Sequence, residues 1–83
     1  MIHILKTHPE YFQAVAQGLK TFEIRKNDRS FNPLDELILK EYNPATEQFT
    51  GAFVTVRVMY IMHGGQFGLQ KGFVAMGIKL VTI

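Results

Sequence analysis

The chain has 83 residues, 47% of them hydrophobic, and a formal net charge of +2. That length suits a single small domain over residues 1–83, and that apolar fraction supports a packed core and excludes a disordered chain. Cysteine is absent, which excludes disulfides, thiolate metal sites and a cysteine nucleophile and fits a reducing cytoplasm.

In chain order, Ile2 and Ile4 alternate with His3 and predict a first strand over residues 2–6. Met1-Ile2-His3-Ile4 carries no basic leader, so no signal peptide is expected, and the apolar stretches are too short and interrupted for a membrane span. Thr7 and Glu10 have capping-box spacing, and Pro9 suits a first helical turn. Phe12, Val15, Ala16 and Leu19 then recur at helical spacing, and Gly18 suits a helix end, so a helix is expected over about residues 9–17. After Gly18 the period changes to two. Strands are expected over Thr21–Arg25, Glu36–Tyr42, Gln48–Met62 and Phe73–Val81. In the long third member of this set, Ala52, Val54, Val56, Val58 and Tyr60 form one continuous apolar face, with Gly51 marking a bend. Asn43-Pro44-Ala45-Thr46 is a turn, and residues 63–72 form a glycine-rich loop without phosphate-loop spacing.

The segment Lys20-Thr21-Phe22-Glu23-Ile24-Arg25-Lys26-Asn27-Asp28-Arg29 holds four of the nine Lys and Arg residues. On a strand, Phe22 and Ile24 face one way and Thr21, Glu23 and Arg25 the other. One short face then carries a hydroxyl, a carboxylate and a guanidinium, with the Lys20 amine at its start and a basic turn, Lys26 and Arg29, at its end. The plain reading is an ion pair ordering a solvated strand. The functional reading is a pocket between helix end and sheet, where Arg25 offers its planar fork to a phosphate or base edge. These readings differ in what Arg25→Lys does. A pocket residue would lose ligand and keep its thermal stability; a scaffold residue would do the reverse. Phe31 is expected beneath the turn as a core residue. His3, His8 and His63 have no metal-ligand spacing and are read as structural or solvent residues; no cofactor is implied.

Gly18-Leu19-Lys20-Thr21-Phe22-Glu23-Ile24-Arg25 resembles the G-x-K-T-x-E-x-R signature of ASCH (activating-signal-cointegrator homology) domains, and the similarity covers the whole chain. The resemblance implies an α+β, mostly β fold: a small PUA-like, partly closed antiparallel barrel of five to six strands with one main helix near the N-terminus. It implies a compact bacterial and phage branch, with RNA or a nucleotide-like ligand as partner. Lys20, Thr21, Glu23, Arg25, Lys26 and Arg29 would form the binding surface. One type in the family is an N4-acetylcytidine amidohydrolase. Its lysine matches Lys20, but its threonine nucleophile falls on Glu23, and no acidic residue follows Glu47 to supply its later glutamate. A binding module is therefore the leading expectation. A small hydrolase using Lys20 with Thr21 or Glu23 is the second, and a protein-interaction module the third.

Overall fold

One sheet takes its strands in the order Ile2–Thr7, Glu36–Asn43, Gln48–His63, Phe73–Leu80 and Phe22–Lys26 and curls into a half-barrel, with one helix among the described residues, near the N-terminus. The structure, a computed structural model, describes residues 1–81. Its elements are β1 (Ile2–Thr7), α1 (Pro9–Ala16), β2 (Phe22–Lys26), β3 (Glu36–Asn43), β4 (Gln48–His63) and β5 (Phe73–Leu80). The sequence of a strand, a helix and four more strands is the expected one, with ends shifted by a residue or two. β1 runs parallel to β3, and the other three pairings are antiparallel. Among the described residues no helix is long and apolar enough to cross a membrane.

The core follows from alternation. Leu37 and Leu39 of β3, Val56 and Val58 of β4 and Val74 and Met76 of β5 point to the concave side and are fully buried. Phe12 and Val15 of α1 close over them. Phe31 packs beneath the turn, as expected. Gly18 ends the helix at φ +76°, and the Leu19 and Lys20 amides both donate to the Ala14 carbonyl. That tight exit delivers Lys20 to the start of β2.

Two sequence expectations need correction. Thr7 does not cap α1: His8 takes the cap position without a side-chain bond, and its carbonyl accepts from the Phe12 amide. Thr7 is instead the last inward residue of β1 and is buried. The apolar face of β4 is also not continuous. Val58 pairs with Ile78, but Tyr60 pairs with its neighbour Gly77, so Met59 is an extra residue. A one-residue bulge reverses the faces beyond it, leaving Tyr60 exposed and Ile61 partly buried. A second irregularity surrounds Gly51, where three residues of β4, Thr50 to Ala52, oppose one of β3, Glu41. In the glycine-rich loop, Gly64 has no room for a side chain, since a Cβ would overlap the Gln70 carbonyl.

The turn between β2 and β3 is tied to β1 by Asp35. Its carboxylate contacts the His3 ring at 2.8 Å, accepts from the Asn32 amide at 3.0 Å, and pairs with the Met1 amine at 3.1 Å. Burial alone would raise its pKa, but these bonds outweigh burial and hold it below the usual value. A carboxyl lowered in the folded state stabilises the protein fully above its unfolded value. That contribution is lost as pH falls through the folded-state value. Asp35→Asn is therefore expected to cost about 1–3 kcal/mol at neutral pH. It should also flatten the loss of stability that begins below about pH 5. Urea unfolding of both proteins at neutral and acid pH checks this; an acid limb of unchanged steepness would dissociate Asp35 from acid sensitivity.

Candidate functional site

The two ends of the sheet order, β1 and β2, face one another across an open seam. In β1 the backbone of Met1 bonds toward β3, so by alternation the carbonyls of Ile4 and Lys6 face the seam. They accept from guanidinium groups. Arg25 donates through Nη1 to the Lys6 carbonyl at 3.1 Å and through Nη2 to the Thr7 hydroxyl at 3.2 Å. Arg29 donates to the Ile4 carbonyl at 3.0 Å. Side chains thus do here what a backbone ladder does elsewhere in the sheet.

Arg25 is aimed by Glu23. Its Nε donates to Glu23 Oε2 at 2.9 Å, while Lys20 Nζ donates to Oε1 at 2.6 Å and to the Phe22 carbonyl at 2.6 Å. The Glu23 side chain is only 4% exposed. A buried carboxylate is tolerated because two cations take both its oxygens. β2 alternates as expected, but its polar face is the inner one; Phe22 and Ile24 are about half exposed, at 49% and 51%. Three charged groups carry two positive charges against one negative. Arg25 keeps one hydrogen on each terminal nitrogen, and Lys20 keeps one, beyond the bonds already made.

Two hollows open along the seam. The first, of about 450 Å³, lies at the helix end between Thr7, Tyr11, Lys20, Phe22, Glu23 and Arg25. The second, of about 540 Å³, lies at the turn end between Lys6, Arg25, Lys26, Arg29, Phe31 and Phe49, with Asp28 on its rim. Lys6 and Arg25 border both. Of the six residues singled out by sequence, Lys20, Glu23 and Arg25 meet in the first hollow, and Arg25, Lys26 and Arg29 border the second. Thr21 stands apart. It precedes β2, its carbonyl accepts from the Ile78 amide, and its exposed side chain borders a smaller hollow together with Lys20, Lys79 and Leu80. Lys6, Thr7, Tyr11 and Phe49 belong to the seam without having been singled out. They come from three other elements, and no local pattern links them to residues 20–29.

A family described as a domain of unknown function, DUF3850, matches residues 2–78. The chain belongs to this family. An uncharacterised 12.9 kDa protein in the GpA 3′ region of Escherichia phage P2 is 42% identical over 57 residues. That match covers 69% of this chain and 50% of the phage protein, so it spans about half the curated relative. The crystal structure of hypothetical protein PH0355 superposes with a TM-score of 0.70 over 98% of this chain and 100% of that one. At 19% identity this likeness carries the fold alone.

In this DUF3850 domain Arg25 serves scaffold and hollow together, so the simple alternative posed from the sequence for Arg25→Lys does not hold. An ammonium is a point charge and does not reach Glu23, Thr7 and the Lys6 carbonyl at once. The substitution is expected to cost about 1–3 kcal/mol and to lower the melting temperature by roughly 4–24 °C. Lys26→Ala, on the exposed rim, should leave melting unchanged. Scanning calorimetry of both variants checks the pair. Unchanged melting of Arg25→Lys would mean that the guanidinium does not hold the seam.

Proposed function

We propose that this chain is a non-catalytic binding module of ASCH type that takes RNA or a nucleotide-like ligand in the seam. The observation that carries the reading is the charge imbalance at the floor of the first hollow. Lys20 and Arg25 are held in place by one buried carboxylate, and their remaining donors are available to a phosphate or carbonyl oxygen. Tyr11, half exposed, and Phe22 supply rings at the rim, with Lys20 lying 5.9 and 4.8 Å from their centroids. Bases stack on such rings while cations attract the backbone. Lys26 and Arg29 add long-range attraction. Glu23 orients the two cations. The resemblance to the ASCH signature supports Lys20, Glu23 and Arg25; Thr21, also a signature position, lies outside this hollow.

The hydrolase reading rests on the Lys20–Glu23 contact. In it, Glu23 would have to activate water, yet both of its oxygens already accept from cations. Thr21 borders a smaller hollow with Lys20 but not the first hollow, where Glu23 lies, and the Thr7 hydroxyl bonds a guanidinium rather than a base. No release of cytidine from N4-acetylcytidine is expected in a chromatographic assay. Release that disappears in Lys20→Ala would promote the hydrolase over the binding module.

Binding itself is checked by following backbone amide shifts during titration with uridine 5′-monophosphate and single-stranded RNA at low salt. Shifts are expected around residues 7, 11 and 20–25. Tyr11→Ala should weaken binding by about 1–3 kcal/mol. Replacing Lys26 and Arg29 together by Ala should reduce the dependence of affinity on salt, because fewer counterions are released. Amides that stay unmoved with every oligonucleotide would end the nucleic-acid reading.

A further inference from the structure

We infer that the seam accepts two successive nucleotides of a single strand, with their linking phosphate over the junction formed by Lys6 and Arg25. The inference rests on the binding reading above and deepens it. The two hollows share these two cations, so a ligand filling both must cross them. Each hollow is within the range of a small-ligand site, roughly 300–1,000 Å³. Each also has its own exposed ring or rings: Tyr11 and Phe22 at the helix end, and Phe49, 52% exposed, at the turn end. The order along the seam is therefore ring, cation pair, ring. That spacing of stacking faces about a cationic centre suits a single strand, whose bases are free to stack and whose backbone is charged. A duplex hides its base faces and has nothing to offer those rings.

The second position is built rather than incidental. Phe49 meets Tyr42 edge-on, with centroids 5.0 Å apart, and the Lys6 ammonium stands 4.5 Å from the Tyr42 ring and 5.9 Å from that of Phe49. Tyr42 thus positions both the ring and one cation of the junction. Phe49 itself lies outside the core cluster, so burial does not explain its place. Asp28 on the rim of the second hollow is a carboxylate acceptor suited to the amino or imino hydrogens of a base. This favours a base in that hollow and a phosphate at the Lys6–Arg25 junction, where Arg25 has terminal hydrogens to donate.

The test compares uridine 5′-monophosphate, the dinucleotide uridylyl-uridine and its deoxy counterpart by calorimetric titration at low salt, on the wild type, Phe49→Ala and Tyr11→Ala. A dinucleotide, ribo or deoxyribo, should bind roughly tenfold tighter than the mononucleotide. Phe49→Ala should remove that gain and leave mononucleotide affinity unchanged; Tyr11→Ala should weaken both ligands. Melting curves confirm that the Phe49 variant is folded, and Phe49→Tyr should restore the gain. A dinucleotide that binds no tighter than the mononucleotide overturns the inference and leaves the one-nucleotide site standing. So does a Phe49→Ala variant that keeps the full gain or loses mononucleotide binding. An acidic peptide that binds as tightly as the dinucleotide also overturns it, since charge alone would then suffice. Failure of every nucleotide to bind removes the reading beneath it instead.

Discussion

The carboxylate of Glu23 sits between the Lys20 ammonium and the Arg25 guanidinium with almost no access to water. Removing a lone carboxylate from water costs several kcal/mol, and the cost is offset only when charged donors take up its oxygens in good geometry. Both oxygens are taken up here. The partners are constrained in return. Arg25, gripped through Nε, has its terminal nitrogens directed across the seam to the last two residues of β1. The Arg25 bridge across the open side of the half-barrel therefore descends from one buried acid, while Arg29 adds a second bridge of its own.

That arrangement also handles the two free edges of the sheet. Exposed strand edges invite pairing with other chains, and proteins block them with charged side chains or cover. On β1 the seam-facing carbonyls of Ile4 and Lys6 accept from Arg29 and Arg25; on β2 the Phe22 carbonyl accepts from Lys20. Each cation that guards an edge also lines a hollow. Backbone pairing of β1 with β2 would have closed the barrel and left no groove. Side-chain bridging leaves space and cationic donors together, which is why the same residues serve the scaffold and the candidate site.

The inversion of β2 has the same origin. In β3 and β5 the apolar alternation points inward, as in Leu37 and Leu39 or Val74 and Met76. In β2 the buried residue is Glu23, while Phe22 and Ile24 lie half in water. Hydrophobic burial alone would turn the strand over. The ion pairs to Lys20 and Arg25, and the backbone register with β5, fix the opposite orientation. Phe22 and Ile24 thereby become walls of the first hollow.

Local physics was legible in the sequence. The helix of residues 9–16 follows from its apolar spacing and a glycine that tolerates the left-handed exit, and the strands follow from alternation and turn residues. The pairing of Glu23 and Arg25 was also legible, because residues two apart on a strand share a face whatever the fold around them; Lys20, three residues before Glu23, is delivered to it by the helix exit. Three things were decided only by tertiary structure. The bulge at Met59 reverses one face of β4, and its position depends on pairing with β5 rather than on any residue of β4 alone. Thr7 has the spacing of a helix cap, but a guanidinium from β2, eighteen residues on, claims its hydroxyl. The joining of Lys6, Tyr11 and Phe49 to the segment 20–29 depends on β1 and β2 ending up as opposite edges of one curled sheet. Periodicity reports which way a side chain points from its own element. Which elements become neighbours is set by the packing of the whole core, and the groove exists only between elements that are distant in the chain.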